Sequence, residues 1–275
     1  MANYVKNIVF FKGKKDALNK VVEYLKQGGR TVLDFNLISP VPEDLTTVDS
    51  CSEETGIALA EYLLDGTYNC LGLSTLMFGT VRAEMESDLG QFYDDDRKLV
   101  KDYMIYKLKN PYLGDDYWKR CMKWYKNLKK YGYTDWFTWK CEKWGTKSNA
   151  CETSSLDSLV PFPLDKKEKN PDCIMTYQFE TAWSMPDGIY KALSAMFPDV
   201  SIEVKYADED LGRNCGHVTY KAGEKIESVL YDGNSKESYE FATSVWDEEY
   251  LLDYLKQDKE GHWYLDMDAF YEKRK

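Results

Sequence analysis

The stretch CIMTYQFETAWSMPDGIYKALSAMFPDVSIEVKYA, residues 173–207, decides the fold. Its first segment, CIMTYQFETAW, predicts a strand. SMPDGIYKALSAMFPD follows as a predicted helix, with Ser184 as its N-cap, Pro186 in the first turn and Pro198 at its end. VSIEVKYA alternates apolar and polar residues, which predicts a second strand. This part of the chain therefore has the order strand, helix, strand.

The flanking segments extend this order in both directions. YVKNIVFFKG (4–13) predicts a strand, KKDALNKVVEYLKQGG (14–29) an amphipathic helix, and TVLDFNLISPVPEDL (31–45) a short extended segment. Further on, HVTYKAGEKIESVLYDG (217–233) predicts a hairpin across an Ala-Gly-Glu turn. VWDEEYLLDYLKQ (245–257) predicts an acidic C-terminal helix.

Residues 52–131 predict a mainly helical block, which opens at Ser52 and has a break at Asn110-Pro111. We therefore predict a single α+β domain over residues 1–275, with residues 52–131 as a helical insertion. Its plan is ferredoxin-like (split β-α-β): an antiparallel sheet with helices on one face, plus the insertion and a C-terminal hairpin and helix.

The composition excludes several classes of protein. No stretch approaches the roughly 20 apolar residues of a membrane helix, and the N-terminal apolar run predicts a strand rather than a signal peptide, so we expect a cytoplasmic location without membrane contact. The seven cysteines include no closely spaced pair, which argues against a zinc site, an iron–sulfur cluster or a redox dithiol. His217 and His262 are the two histidines, and neither lies in a metal-binding motif. We expect no metal, no cofactor and no catalytic constellation.

Charge is distributed unevenly around a net value of −11. The basic peak is YWKRCMKWYKNLKKYGY, residues 117–133, where cations alternate with aromatic residues. This composition is typical of single-stranded nucleic-acid binding, with candidate contacts at Lys119, Arg120, Lys123 and Lys126. Helical phasing favours another interpretation, an amphipathic helix with a solvated lysine face, and the acidic pI of 4.9 makes nucleic acid an unlikely partner.

DWFTWKCEKWGTK, residues 135–147, predicts a short helix whose tryptophans form a core-facing stripe. Gly145 fits the left-handed position that ends a helix. The Trp144-Gly145-Thr146-Lys147 run follows where the helix meets the next strand.

Several segments taken together resemble the YubB-like proteins of phages, plasmids and integrated elements. The resemblance is carried by MANYVKN, DFNLISPVPEDL, YGYTDWFTWKCEKWGTKSNA, FETAWSMPDGIYKALSAMFPD and YADEDLGRNCGHVTYKAGE. It implies a ferredoxin-like domain and a mobile-element setting in a bacterial host, and it transfers no catalytic residue. It singles out ligand-binding candidates in three regions: Trp144, Gly145, Thr146 and Lys147, then Trp183, then Asp208, with Asp210 as a second acceptor beside it. We favour a core position for Trp183 over a shared cleft with Trp144.

Three functions remain open. The first is a non-enzymatic accessory protein that binds a host protein through an acidic, aromatic-rich surface, in host takeover or defence modulation. The second is a small-ligand or nucleotide-handling protein with a cleft near Trp144, Lys147 and Trp183. The third is a single-stranded nucleic-acid binder that uses residues 117–133.

Overall fold

A computed structural model describes residues 3–28, 33–50, 54–66, 75–109, 116–154, 159–161 and 169–273. The chain divides into two compact units: Met1–Pro40 with Lys140–Lys275, and Val41–Trp139. The single-domain organisation with an insertion over residues 52–131 stays a prediction.

Helices and strands alternate in the first unit, whereas the second unit is helical. The strands are β1 (Tyr4–Lys14), β2 (Val160–Pro161), β3 (Asp172–Ala182), β4 (Ser201–Asp208), β5 (Cys215–Lys221), β6 (Glu224–Leu230), β7 (Leu255–Gln257) and β8 (Trp263–Leu265). The helices are α1 (Lys15–Leu25), α2 (Phe35–Ile38), α3 (Glu43–Thr46), α4 (Glu54–Asp65), α5 (Thr75–Leu89), α6 (Asp96–Leu108), α7 (Tyr117–Tyr131), α8 (Trp136–Lys143), α9 (Asp187–Met196), α10 (Lys236–Trp246) and α11 (Met267–Glu272).

The main sheet has the order β2-β3-β1-β4-β5-β6, and each neighbouring pair is antiparallel. β1 lies between β3 and β4, which are joined through α9, so β3-α9-β4 is a split β-α-β unit. β2, β3, β1 and β4 together have the strand order of a ferredoxin-like sheet, and β5 and β6 extend it as a hairpin. The predicted fold class is confirmed.

One face of the sheet carries the main core. Alternate residues of β1, among them Val5, Val9 and Phe11, are fully buried. Helix α9 packs on this face through Tyr190, whose hydroxyl donates to Asn7 Oδ1 of β1 at 3.0 Å. Tyr24 of α1 meets Phe197 at the end of α9 with ring centroids 5.6 Å apart. Both ferredoxin-like helices therefore lie on one face, as predicted.

The opposite face of the sheet is covered in part by α10. Its Ala242 and Val245 form a buried cluster with Ala207 of β4 and Cys215 of β5, and Ile8 of β1 packs against them. The indole N–H of Trp246, the last residue of α10, donates to the carbonyls of Ala207 and Asp208. Helix α10 is thus an addition on the far side of the sheet.

The start of α9 is fixed by an ionic contact. Asp187 binds Lys191 at 2.8 Å and Lys225 at 2.6 Å, and it accepts a hydrogen bond from the Tyr220 hydroxyl at 2.6 Å. Burial alone would raise the pKa of Asp187, but these partners outweigh it and lower the pKa to about 2. Ser184, the predicted N-cap, instead donates its hydroxyl to the Gly145 carbonyl, and Pro186 occupies the cap position.

Two other predictions of local structure were wrong. The extended segment predicted at residues 31–45 contains the short helices α2 and α3 in its described part, because Asp34 accepts from the Asn36 N–H and starts a helical turn. The predicted helix at residues 245–257 is instead the end of α10, a 3₁₀ turn and β7. Asp247 adopts a left-handed conformation with φ 60° and ends α10 there.

The helical unit has its own core. α4 packs against α6 and α7, and α5 packs against α6. Buried side chains from these helices include Leu99, Tyr117, Cys121 and Trp124. Gly56 of α4 allows the close approach of α7, because an added Cβ would lie 2.5 Å from Cys121 Sγ. Within the described ranges, no helix is long and apolar enough to cross a membrane.

Candidate functional site

Trp144 lies in the core. It is fully buried, and its indole N–H donates to the Ser39 carbonyl at 2.8 Å. Its ring meets the edge of Phe35 at 5.5 Å between centroids, and Lys140 Nζ lies 4.6 Å from the ring centroid. A ligand has no access to this indole, so Trp144 does not share an open cleft with Trp183.

Residues 145–148 fasten the end of α8 to the end of β3. Gly145 has φ 88°, and a Cβ there would lie 2.8 Å from the Asp187 nitrogen, so glycine is required on both grounds. The Thr146 hydroxyl donates to the Ala182 carbonyl at 2.7 Å, and the Ala182 N–H donates to Ser148 Oγ at 3.0 Å. Gly145 and Thr146 are therefore structural residues that place Lys147.

Trp183 is an exposed aromatic residue on a strained backbone. Its φ is 71°, a conformation that bulky residues rarely adopt, and 46% of its surface is exposed. Its N–H donates to the Asn3 carbonyl at 2.9 Å, and its carbonyl accepts from Asn214 Nδ2 at 3.0 Å. Lys147 Nζ lies 3.5 Å from the ring centroid. The favoured core position for Trp183 was wrong, because the strand ends before it and turns its side chain outward.

Asp208 binds the two asparagines that hold the backbone of Trp183. It is 7% exposed, and its carboxylate accepts from Asn3 Nδ2 at 3.3 Å, from Asn214 Nδ2 at 3.1 Å and from the Asp210 N–H at 2.9 Å. A buried carboxylate that accepts several hydrogen bonds in this way is a structural anchor. Asp210 itself is exposed, with its carboxylate 3.9 Å from Arg213.

Tyr4, next to Asn3, and Glu209, next to Asp208, add an aromatic and an acidic group to this region. Tyr4, which is 37% exposed, exchanges hydrogen bonds with Glu209: its N–H donates to Glu209 Oε1 at 3.0 Å, and its carbonyl accepts from the Glu209 N–H at 2.9 Å. We call Tyr4, Lys147, Trp183, Glu209 and Asp210 the Trp183 patch. Burial and then the charges of Glu152 and Glu209 raise the pKa of Glu180, and the charge of Lys6 opposes this rise, so two carboxylates and one lysine lie near Glu180.

The basic candidates lie on α7 in the helical unit. Lys119 pairs with Asp116 at 2.8 Å, Lys123 Nζ donates to the Thr47 carbonyl at 3.3 Å, and Lys126 is exposed. Lys119, Lys123 and the half-buried Arg120 line a cavity of about 430 Å³ together with Trp136. The apolar side of α7 packs into the helical core, as the amphipathic interpretation predicts.

Potential metal ligands come together in the loop between β7 and β8. His262 Nδ1 lies 3.5 Å from Asp258 and 3.8 Å from Glu260, and all three residues are exposed. Asp258 already accepts the backbone N–H groups of Glu260 and His262, which accounts for its position. Loops of this kind are common without an ion, and the prediction of no metal stays a prediction.

Sequence reasoning missed Asn3, Tyr4, Glu209 and Asn214 as members of the site. Their contacts depend on the register that sets Val5 opposite Asp208 across β1 and β4. A single sequence does not carry that register. The signal that was available is Trp183 itself, a large aromatic residue directly after a predicted strand and before Ser-Met-Pro.

Residues 166–249, less than a third of the chain, match the model of a family described as a ferredoxin-like domain in Api92-like protein. The matched range includes β3, α9, β4, β5, β6 and α10. Among solved structures, the api92 protein of Yersinia pseudotuberculosis matches with 11% sequence identity and a TM-score of 0.33, covering 86% of this chain and 100% of that one. No curated protein matches. The chain is thus similar to Api92-like proteins over residues 166–249, and the resemblance to YubB-like proteins stays an expectation.

Proposed function

We propose that this chain is a non-enzymatic accessory protein of a phage or mobile element that binds a host protein through the Trp183 patch. The observation that carries the proposal is the exposed, backbone-strained Trp183, fixed on both sides by Asn3 and Asn214. Strained backbone is found preferentially at binding and active sites, where the surrounding structure holds it in place.

Trp183 has the properties of an interface anchor. Tryptophan is enriched among the residues that dominate binding energy, because it buries a large area with few rotatable bonds. Here the backbone is already held by two hydrogen bonds and the ring by Lys147. Ordering this side chain on binding therefore costs little entropy.

The charge around Trp183 indicates the chemistry of the partner. Glu209 and Asp210 are exposed, and Glu152 and Glu180 add negative charge near Glu209. Among these carboxylates, Glu180 has Lys6 nearby and Asp210 has Arg213. A surface of this kind is complementary to an Arg- and Lys-rich protein surface, which it attracts by charge and can contact by cation–π stacking. The partner we propose is accordingly a basic host protein.

Two thiols in the same unit are poor nucleophiles, which supports a non-enzymatic role. Burial raises the pKa of Cys215 to about 11, and burial with the charge of Glu180 raises the pKa of Cys151. Both are protonated at neutral pH, and the thiolate is the reactive form. The phage or mobile-element setting rests on the resemblance of the sequence to YubB-like proteins.

The test is affinity purification of the tagged chain from bacterial lysates at low and moderate salt, with mass spectrometry. Trp183→Ala and Glu209→Lys are the test variants. Tyr250→Ala is the matched control, because Tyr250 is 50% exposed and lies outside the patch. We expect the wild type and the control to retain one identified basic protein in stoichiometric amount, and both test variants to lose it.

A partner that binds the Trp183→Ala variant as well as the wild type contradicts the use of this patch. Failure of several lysates to yield any stoichiometric partner contradicts the proposed function as a whole. An acidic partner contradicts the charge argument.

The cavity beside α7 supports a second candidate function, binding of single-stranded nucleic acid. It combines Lys119, Arg120 and Lys123 with Trp136, on which a base can stack. Asp49 and Asp116 also line it and oppose a polyanion. A titration with a fluorescent oligonucleotide decides the matter: phosphate-driven binding is strongest at low salt, and its absence there excludes this function.

A further inference from the structure

We infer that the helical unit contains a binding site for a small organic cation, an ammonium group carried on an apolar body. The site is a cavity of about 630 Å³ between the end of α5 and the C-terminal half of α6. We call it the Tyr93 cavity and define it by Leu89, Tyr93, Asp102, Ile105, Tyr106 and Lys109.

An unsatisfied hydroxyl marks the cavity wall. Tyr93 is 5% exposed, and its buried hydroxyl has no hydrogen bond of normal geometry. Burial and then the nearby Asp102 carboxylate raise the pKa of Tyr93, so the hydroxyl stays protonated. Buried hydroxyls nearly always have a partner, and one that lacks it at a cavity is explained by a group that enters from the cavity.

Asp102 supplies the charge. Its carboxylate is half-buried and makes no ion pair with any residue in the described ranges. Glu84, the other carboxylate at this cavity, differs in this respect. It accepts from the Tyr103 hydroxyl at 3.2 Å and pairs with Lys107 at 3.4 Å. The charge of Lys107 is therefore already balanced, and that of Asp102 is available to a ligand.

Apolar surface lies next to these polar groups. Leu89 and Ile105 line the cavity, although 51% and 53% of their respective surfaces are exposed. The Tyr106 ring also lines the cavity, and its hydroxyl is turned to Asp88 at 2.5 Å. A ligand with a short hydrocarbon body would cover these side chains while its ammonium donates to Asp102 and to the Tyr93 oxygen. The Tyr93 O–H can then donate to Asp102.

Competing ligand classes fit less well. An anion would meet the carboxylates of Glu84 and Asp102; of the two lysines at the cavity, Lys107 is already bound to Glu84, and Lys109 is exposed to solvent. A neutral alcohol could reach the Tyr93 hydroxyl but would leave Asp102 without a counter-charge. Since a charge-assisted hydrogen bond is about twice as strong as a neutral one, the cation is favoured.

Three probes of equal length test the assignment on the full chain: hexylammonium, hexan-1-ol and hexanoate. Binding is followed by the chemical shifts of amide groups in α5 and α6. We expect hexylammonium to bind about tenfold more tightly than hexan-1-ol, and hexanoate to bind most weakly. The variant Asp102→Asn should remove the preference for the cation and keep the binding of hexan-1-ol, which shows that the cavity is still folded.

Tyr93→Phe should weaken hexylammonium binding several-fold and leave the fold intact. Asp94→Asn is the matched control for charge, because Asp94 is exposed and does not line the cavity. Tyr125→Phe is the control for loss of a hydroxyl, since that hydroxyl binds Asp65 instead. Equal binding of all three probes, absence of saturable hexylammonium binding, or an unchanged affinity in Asp102→Asn would each overturn the assignment. The inference is independent of the Trp183 patch, and Trp183→Ala should leave hexylammonium binding unchanged.

Discussion

The backbone at Trp183 predicts a reversal of the usual ranking of alanine and glycine. Both Trp183→Ala and Trp183→Gly remove the indole, so the loss of its packing cancels in the comparison. What remains is the conformation, with φ at 71°. A residue with a Cβ is disfavoured there by about 1–2 kcal/mol, whereas glycine adopts it freely.

The opposing term is the larger conformational entropy of glycine in the unfolded chain. It disfavours glycine by about 0.5–1 kcal/mol at an ordinary position. The difference leaves Trp183→Gly more stable than Trp183→Ala by about 0.5–1 kcal/mol. The matched control is Glu240, an exposed residue inside α10, where glycine should be less stable than alanine by about 1 kcal/mol.

The assay is urea unfolding of the four variants, with circular dichroism and tryptophan fluorescence as separate probes. The chain has two compact units, and each can unfold in its own transition. The midpoint to compare is that of the unit containing residues 140–275, which is the transition that shifts when residues of that unit are changed. If Trp183→Gly is less stable than Trp183→Ala by the margin seen at Glu240, the left-handed backbone at Trp183 is not held in solution. The Trp183 patch would then not be preorganised.

Three further predictions concern the same unit. Tyr190→Phe should lower the free energy of unfolding by about 1–3 kcal/mol, because it leaves Asn7 Oδ1 buried without its donor; urea unfolding measures this. Asp187→Asn should be less stable than the wild type at neutral pH, because the lowered pKa of the Asp187 carboxyl stabilises the folded state when this group is ionised. As pH falls from about 4 towards about 2, the carboxyl is protonated and this stabilisation is lost. Unfolding measured across a pH series should therefore show the two stabilities converge in that range. Ala222→Asn should raise the thermal midpoint by a few degrees, because Ala222 has φ 50° in the β5–β6 turn, where asparagine is preferred; an unchanged or lower midpoint contradicts this.

The ferredoxin-like plan could be predicted because its signals are local. The alternation of β4 and the apolar stripe of α9 follow from side-chain periodicity, and Gly145 ends the α8 segment with the expected positive φ. The turn between β5 and β6 was likewise predicted. Each of these features depends on neighbours within a few residues.

The bounds of α10 were predicted wrongly because helix-capping residues set them. α10 was missed because its start depends on the hydroxyl of Ser235, which accepts from the Ser238 N–H at 3.0 Å, and its end depends on the left-handed Asp247. The predicted helix was placed on the apolar stripe that follows, which forms a 3₁₀ turn and a short strand. The apolar residues of this segment were identified correctly, but their spacing predicted an α-helix where the structure has a 3₁₀ turn and a strand.

The candidate site was harder to predict because it is assembled by register. Lys147 and Trp183 were both singled out, but the contact between them depends on the hydrogen bonds that fasten residues 145–148 to β3. Asp208 was singled out as a ligand-binding candidate, and only its two asparagine partners show that it is a buried anchor. Asn214 is six positions from Asp208, but Asn3 and the partners of Thr146 and Ser148 lie more than thirty positions away, where spacing in the sequence does not predict a contact.

The position of Trp183 is itself an argument for a binding role. An indole placed only for stability gains most when it is fully buried on relaxed backbone, as Trp144 is. Trp183 exposes almost half of its surface, has a disfavoured φ, and is contacted by Asn214, whose φ of 42° is also left-handed. The left-handed backbone of Trp183 is a net cost to the folded state, and the buried Asp208 accepts hydrogen bonds from Asn3 and Asn214, the two residues that hold Trp183 in place. Folding alone does not account for this arrangement, whereas a surface that must present a rigid aromatic ring among carboxylates does.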